Sequence, residues 1–489
     1  MKNTKRYIYL LLLSGLLGVG AACTKKSGGD DNGGGGIGPV TPPPVTPVKT
    51  DVNMWLTQAD QTQLFKKQNT ALLFSTSANG GSTTINVDTT QTYQTIDGFG
   101  FALTGGSAYV LNSLDDTHKT ALLNELFATD STHIGISYLR ISIAASDMSS
   151  APFSYDDVPG DVSLANFSLD KEKADLIPIL QKIIAINPNI KILACPWSAP
   201  AWMKTNNSFT QGSLQAQYYG AYASYFVKYI QAMKANGITI DAITPQNEPL
   251  NAYNTPAMLW QSADEGNFIK NNLGPAFKAA NITTKIICYD HNADHPEYAT
   301  GILSDPATAA YVDGSAFHLY GGSVNAIGPV HTAYPNKNLY FTEQATFAGG
   351  KFGDDLAWHI SNLIVGATRN WCRNVLEWNL ASDPNYGPHT SGGCTTCQGA
   401  ITVANSGSFT RNVSYYIIAH ASKFVRPGAV RIASDQQNTL LNVAFKNTDG
   451  SKVLIVLNTS TSPQQFNIGF NSRFVSTTLA GGAVATYVW

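Results

Sequence analysis

From about residue 93 the chain alternates short apolar runs with longer amphipathic stretches. The apolar runs cover residues 94–103, 136–143, 190–196, 242–246, 285–289, 315–319, 338–341 and 374–379, each the length of a buried strand. The stretches between them carry the helical period. Leu214, Tyr218, Tyr222, Phe226, Tyr229 and Met233 recur at steps of three or four, and Gly237 follows as a stop signal. A second helix is predicted from Asp170 as N-cap, through Leu176, Leu180, Ile183 and Ile184, to the break at Pro188. Successive strand–helix units of this number predict an α/β fold, a (β/α)8 TIM barrel over residues 93–428. An open doubly wound sheet would use fewer strands, and no G-x-G-x-x-G follows the first run.

The pattern changes at Ala429. Short β-runs take over, including 441–446 and 452–457, with the turn pair Asp449-Gly450 between them, a hairpin signature. A similar run at 83–88 precedes the barrel. Together these predict a small β-sandwich formed from both chain ends, residues 51–92 and 429–489. Apart from the strand–helix alternation there is no internal repeat.

The N-terminus has its own logic. Lys2, Lys5 and Arg6 precede an apolar run over residues 7–19, then the small residues Gly20-Ala21-Ala22 and Cys23. That is the build of a secretory signal peptide, residues 1–22. The run is too short for a comfortable membrane span of about 20 residues. A Cys directly after the small residues resembles a bacterial lipoprotein signal, with Cys23 lipidated. An aliphatic residue usually stands where this chain has Gly20, so an ordinary signal peptide with an incidental Cys23 is the alternative. Residues 23–50 read as a tether, Gly- and Asp-rich over 27–38 and Pro-rich over 41–47, flexible first and then extended. The pair Asp30-Asp31 resembles export signals of surface lipoproteins in Bacteroidetes-type bacteria. The expected location is a bacterial outer membrane at the cell surface, with membrane contact only through the lipid.

Composition narrows the partners. The 489 residues suffice for a barrel and a smaller companion domain. Lys and Arg number 31 against 33 Asp and Glu, which gives none of the basic excess that a nucleic-acid partner would require. Cys195 and Cys288 lie in apolar runs and read as buried small hydrophobes. Cys394 and Cys397 form a lone C-x-x-C without the two further ligands of a zinc site. In an exported chain a short disulfide is the preferred reading over free thiols. Cys372 has no assignment.

Barrel enzymes place their chemistry at the C-terminal ends of strands, and the informative residues gather there. Asp147 follows the second predicted strand, Trp197 the third and Asn247-Glu248 the fourth. His318 and Tyr320 end the sixth, Glu343 the seventh, and Trp378 the eighth. Strands four and seven bring Glu248 and Glu343 to one mouth from opposite sides. Hydrolysis of a glycosidic bond with retention needs such a pair, one carboxyl protonated and one ionised, about 5–5.5 Å apart. Asn247 is placed to reach a sugar 2-hydroxyl. Each residue has a plainer reading. Trp197, Trp202 and Trp378 could be core residues, and His318 a structural hydrogen-bonder. His291 and Tyr320 carry weaker signals. Glu377 is a rival carboxylate, but strand alternation turns it away from the face that Trp378 takes.

At these positions the chain resembles glycoside hydrolase family 30, which includes acid β-glucosidase (glucosylceramidase) and bacterial and fungal β-1,6-glucanases. The resemblance runs from Asp97 to Thr402. It is carried by Asp97-Gly98-Phe99-Gly100 with Thr104-Gly105-Gly106-Ser107, by Arg140 to Asp147, by Pro196-Trp197-Ser198-Ala199-Pro200-Ala201-Trp202-Met203-Lys204, by Asn247-Glu248-Pro249 and by Phe341-Thr342-Glu343. It implies Glu248 as acid/base and Glu343 as nucleophile, with Arg140, Asp147 and Trp197 at the sugar site; strand-end placement adds Asn247, His318, Tyr320 and Trp378 as substrate-binding candidates. It implies no metal and no cofactor. The loop from Gly387 to Cys397 resembles members nearer the β-1,6-glucanase branch. The implied activity is endo-hydrolysis of a β-1,6-glucan through a covalent glycosyl-enzyme. The alternatives are an exo-acting β-glucosidase, β-xylosidase or glucosylceramidase, an inverting mechanism, and a non-catalytic surface glycan-binding lipoprotein. A binder of that last kind would keep the aromatics and lose a carboxylate, and here both carboxylates are present.

Overall fold

A computed structural model describes residues 48–489; the predicted signal, Cys23 and nearly all of the tether lie outside the described residues. Eight parallel strands close into a barrel in strict chain order. They are β1 (Gly98–Ala102), β2 (Tyr138–Ser142), β3 (Lys191–Cys195), β4 (Ala242–Ile243), β5 (Lys285–Ala293), β6 (Val312–Gly322), β7 (Asn338–Glu343) and β8 (Cys372–Glu377). Their alternation sends Tyr138, Leu193, Ala242, Ile287, Ala316, Tyr340 and Leu376 into one buried interior cluster. The opposite faces pack against the helices in the main core. The barrel is therefore filled with side chains, and its chemistry has to sit at an end.

Several predicted boundaries move, each for a local reason. The run at 94–103 is two strands. A long strand, Thr83–Thr95, belongs to the sandwich, and the chain breaks at Ile96-Asp97 before β1 begins at Gly98 with φ +151. β4 pairs only through Ala242 and Ile243, because Pro245 has no N–H to carry the ladder on. Asp170 does not cap the following helix. It opens a short 3₁₀ turn, Asp170–Glu172, and the helix runs Leu176–Ile186. The predicted helix from Leu214 begins only at Tyr219, after a 3₁₀ turn, because Leu214 is held in a bridge to Lys204.

The companion domain draws on both ends of the described chain. Asn53–Thr57 pairs antiparallel with Val484–Val488, a strand that the sequence pattern did not reveal. Thr83–Thr95 pairs antiparallel with Val430–Ser434 and parallel with Gln464–Phe470, so it serves both halves of the sandwich. The hairpin Leu440–Lys446 with Lys452–Asn458 forms in register, and Gly450 takes the positive φ of +87 that its turn requires. A separate apolar cluster, with Ile85, Leu454, Phe466 and Tyr487 at its centre, fills this domain.

Candidate active site

One layer above the interior cluster, the same inward parity presents Arg140, Cys195, Thr244, His318, Thr342 and Trp378 from six different strands or strand ends. An apolar core cannot hold that set without a counter-charge. Asp290 supplies it. Its carboxylate accepts from Arg140 Nη2 at 2.8 Å, His318 Nε2 at 3.1 Å, Thr244 Oγ1 at 2.7 Å, Thr342 Oγ1 at 2.5 Å and the Cys195 thiol at 3.1 Å. Asp290 reaches this position through a bulge. The β5–β6 register shifts between Tyr289 and His291, and Tyr289 and Asp290 both have positive φ, +76 and +64. The bulge packs the Tyr289 ring on Tyr298 and Phe317 and turns Asp290 inward. Burial works against ionisation of Asp290, but the Arg140 charge and the His318 contact hold its carboxyl well below the usual range.

The two predicted glutamates stand on this floor. Glu343 Oε2 accepts from Arg140 Nη1 at 2.6 Å and Oε1 from the Tyr320 hydroxyl at 3.0 Å. Glu248 Oε1 faces His318 Nδ1 at 3.2 Å, and its Oε2 accepts from Asn251 Nδ2 at 2.7 Å. Glu248 itself is left-handed, with φ +46, a conformation that non-glycine residues adopt at a cost and that gathers at functional sites. Ligand oxygens of Glu248 and Glu343, with a His318 nitrogen, lie within 4.8 Å of one another. Asn247 Oδ1 accepts from Arg140 Nη2 at 2.7 Å.

His318 lies between three carboxylates. Burial pulls its pKa down, but the Glu343 charge and the contacts with Asp290 and Glu248 overcome this and lift it to about 9. It is an imidazolium at neutral pH, and both ring nitrogens donate. The group Glu248, His318 and Glu343 has the proximity of a metal site. Each of the three already holds protein partners, His318 on Asp290, Glu343 on Arg140 and Tyr320, and Glu248 on Asn251.

Above the glutamates opens a cleft of about 510 Å³, lined by Asp147, Glu248, Asn251, His291, Tyr320, Glu343, Trp378 and the disulfide loop around Cys394 and Cys397. Tyr253 and Phe347 stand on its rim, 87% and 41% exposed. Asp147 presents a buried Oδ1 with no protein partner, while its Oδ2 accepts from the Cys394 N–H at 3.3 Å. Burial, with the Glu343 charge added, pushes its carboxyl up to about 7. Buried His291 has an unpartnered Nδ1 and is held down to about 4, mainly by burial.

The predicted site residues thus fall into two groups. Asp147, Glu248, Glu343, Tyr320 and Trp378 face the cleft. Arg140, Asn247, Trp197 and His318 lie beneath it. Trp197 is buried, 5.4 Å from Trp378 by ring centroids and 4.8 Å under the Arg140 guanidinium, so it backs the sugar site rather than lining the cleft. His318 is wholly buried, with its ring nitrogens on Glu248 and Asp290. Trp202 packs on Tyr218 and bonds the Asp156 carbonyl, away from the cleft. Glu377 points outward, as strand alternation requires, onto His359 Nδ1 at 2.8 Å. Cys394 and Cys397 are joined by a disulfide; Cys195, Cys288 and Cys372 are free and buried. Asp290 and Asn251 were not singled out from the sequence. The signal for Asp290 was present in the polar run Asp290-His291-Asn292 that ends an apolar strand.

A closed parallel barrel with two carboxyl groups facing each other at its C-terminal mouth has the arrangement that a retaining glycoside hydrolase needs. The chain belongs to glycosyl hydrolase family 30: residues 96–425 match the family's TIM-barrel domain and residues 428–487 its β-sandwich domain. An endo-1,6-β-D-glucanase from Neurospora crassa is 39% identical over 385 residues, 75% of this chain and 79% of the relative. A putative glucosylceramidase 1 of Caenorhabditis elegans is 32% identical over 402 residues, 77% of this chain and 76% of the relative. Among solved structures, the endo-β1,6-glucanase BT3312 superposes with a TM-score of 0.84 at 37% identity, covering 90% of this chain and 99% of that one.

Proposed function

We propose that this hydrolase is an endo-acting β-1,6-glucanase that works with retention, with Glu248 as acid/base and Glu343 as nucleophile. The single observation that carries the mechanism is the approach of the two carboxylates within 4.8 Å. Inverting enzymes hold their carboxyls about 6.5–9.5 Å apart to admit a water between them, and no such gap exists here. The substrate reading rests on the likeness to the endo-1,6-β-glucanases and on a cleft whose rim carries exposed aromatic rings.

In the first step Glu343 attacks the anomeric carbon as Glu248 gives its proton to the departing glycosidic oxygen. In the second, Glu248 takes a proton from water, which displaces Glu343 from the same carbon. The proton must therefore begin on Glu248. Burial favours protonation of Glu248 but the contact with His318 outweighs it, to about 2. Burial lifts Glu343 against the pull of His318 and Arg140. The two share one environment and titrate as a pair. Arg140 and His318 bring two positive charges, Asp290 one negative, and a neutral buried cluster then needs one ionised glutamate and one protonated. The contacts favour ionised Glu343. It takes the 2.6 Å bond from a guanidinium that is always charged, and a protonated Glu343 would forfeit that charge-assisted bond. Glu248 holds only a neutral amide and a longer contact to His318. Arg140 also fixes Asn247, which is placed for the sugar 2-hydroxyl, and the buried, unpartnered Oδ1 of Asp147 is free to bond another sugar hydroxyl.

The basic, apolar and small-residue succession before Cys23 supports export as a lipoprotein displayed at the surface of a bacterial outer membrane. There the tether would present the cleft to external glucan.

The test is product analysis of the soluble domain on β-1,6-glucan, β-1,3-glucan and an aryl β-glucoside, with Glu248→Gln and Glu343→Gln beside it. Short β-1,6-linked oligosaccharides, lost in either variant, are the expected result. Release of glucose alone would move the assignment to an exo-acting β-glucosidase, and activity that survives Glu343→Gln would overturn the mechanism.

A further inference from the structure

The acid gives its proton to the leaving oxygen, so the leaving sugar departs past Glu248. Whatever protein lies just beyond Glu248 borders that sugar. Here it is the turn from Pro249 to Asn254, and its contacts are specific. Asn251 closes the turn by donating its N–H to the Glu248 carbonyl at 2.8 Å. Its side chain then works in both directions: Nδ2 donates to Glu248 Oε2 at 2.7 Å, and Oδ1 accepts the N–H of Tyr253 at 2.9 Å. One amide thus ties the carboxyl to the backbone that carries the Tyr253 ring.

That ring lines the same cleft as both glutamates, yet it is 87% exposed, the most exposed of the large hydrophobic side chains among the described residues. Lone exposed hydrophobics are common and need no explanation. This one stands at the mouth of the cleft that both glutamates face, on a turn pinned by the acid's own hydrogen bond. A flat ring with a polar tip suits a ligand that is apolar on one face and wet at its edge, which describes a pyranose. Phe347, the other rim aromatic, follows Glu343 and packs near Tyr320 at 6.4 Å, on the nucleophile's side. Tyr253 alone stands on the acid's side.

We infer that Tyr253 is the stacking platform for the sugar on the leaving-group side, and that Asn251 is a positioning residue linking that platform to the carboxyl of Glu248. The ligand class is a neutral β-linked gluco-oligosaccharide, and in that respect the inference rests on the function proposed above. A leaving sugar seated on Tyr253 steadies the turn, and the turn holds Glu248 Oε2 through Asn251, which fixes the orientation in which the carboxyl gives up its proton. Leaving-side binding and proton donation are thereby coupled.

The experiment compares substrates that differ only in what leaves. Wild-type enzyme, Tyr253→Ala, Asn251→Ala and Asn251→Asp are assayed on a β-1,6-linked gluco-oligosaccharide, on β-glucosyl fluoride, which has no leaving sugar, and on 2,4-dinitrophenyl β-glucoside, which needs no acid. Tyr253→Ala is expected to lower the ratio of kcat/KM on the oligosaccharide to that on the fluoride about tenfold, mostly through KM, a change equivalent to ~1.4 kcal/mol. Asn251→Ala is expected to lower kcat on the oligosaccharide far more than on the dinitrophenyl glucoside and to shift the basic limb of its pH profile. Asn251→Asp, which cannot donate to Glu248, should not restore it. Equal losses on all substrates would mean a purely structural role and overturn the inference, as would an unchanged oligosaccharide-to-fluoride ratio in Tyr253→Ala. If the wild type cleaves another β-linked gluco-oligosaccharide but not the β-1,6 one, the substrate reading fails, and the platform is judged on the oligosaccharide that is cleaved. If the wild type cleaves none, no leaving sugar is bound and the platform fails too.

Discussion

The Arg140 guanidinium and the Asp290 carboxylate, 2.8 Å apart and both wholly buried, form the charge pair on which the floor of the cleft is built. Arg140 reaches on to Glu343 and Asn247, and Asp290 to His318, so this pair fixes the surroundings of both glutamates. A buried pair contributes little net stability when intact, because desolvation offsets attraction. Breaking it is expensive, because a charge is left alone.

Asp290→Ala should therefore destabilise the fold by about 3–5 kcal/mol, the range for a buried charge stripped of its partner. Asp290→Asn should cost less, since the amide keeps the shape and can still accept from one donor. In both, kcat should fall far more than KM rises, because Asp290 touches the residues that hold the glutamates and does not line the cleft. Denaturant unfolding and steady-state kinetics on the two variants check this. Full activity in Asp290→Asn would show that the negative charge at this position has no part in ordering the site.

His318 gives a pH signature whose sign is fixed by the direction of its shift. Its folded pKa, about 9, lies above the ordinary histidine value near 6.5. The native state therefore holds a proton that the unfolded chain gives up first. The stabilisation is complete below about pH 6.5 and is lost as pH rises through about 9. Wild-type enzyme should lose thermal stability between those limits relative to His318→Gln, which has no proton to lose there. Parallel Tm curves for the two proteins from pH 6 to pH 10 would show that the imidazolium is absent.

How much of this was legible in the sequence depends on strand parity. Inward and outward positions alternate strictly in β2, β6 and β8, so Arg140, His318 and Trp378 fall on the cleft side and Glu377 on the helix side, as a two-residue period requires. Asp290 breaks that period. Alternation from Ile287 would put Tyr289 inside and Asp290 outside; the bulge at these two residues exchanges them. No residue there signals the bulge, since neither position is a glycine. The strand Asn53–Thr57 escaped for another reason. Its partner, Val484–Val488, lies at the far end of the chain, and a five-residue strand has too little pattern to be recognised alone. The depth of Trp197 was also hidden, because a strand-end aromatic can lie over or under the layer of charge, and here Arg140 covers it.

Asp147 titrates in the opposite sense to a salt-bridged carboxylate. Burial lifts it to about 7, so between its ordinary value near 3.8 and that point the native state holds a proton that the unfolded chain has lost. Its contribution makes the fold less stable as pH climbs through this window. Asp147→Asn should remove that decline and raise Tm relative to wild type above pH 7, while weakening activity by removal of a sugar-facing group. Difference curves of Tm against pH for the two proteins test it. A wild type no less stable than Asp147→Asn at pH 8 would mean that the carboxyl ionises in the folded protein without cost.

The Cys394–Cys397 bond closes a very short loop, so its stabilising effect through the unfolded chain is small, about 2 kcal/mol at most. Its importance should lie in what the loop touches. Thr390 donates its N–H to the Asp147 carbonyl at 2.8 Å and Cys394 to the Asp147 carboxyl at 3.3 Å. On the other side, Cys397 pairs with Phe347 and the Thr396 carbonyl accepts from Ala348 at 2.8 Å. The loop therefore bridges the segment carrying Asp147 to the segment just beyond Glu343. Gly393 passes so close to the Asp147 carbonyl that a Cβ there would lie 2.3 Å from it, which leaves the loop little room to settle elsewhere. Cys394→Ser with Cys397→Ser should lower Tm only slightly and raise KM for glucan several-fold. Reductant should do the same to the wild type and nothing further to the double variant. If KM is unchanged in the double variant, the hydrogen bonds alone hold the loop; if Tm falls steeply, the bond supports the barrel mouth as a whole and not the sugar site alone.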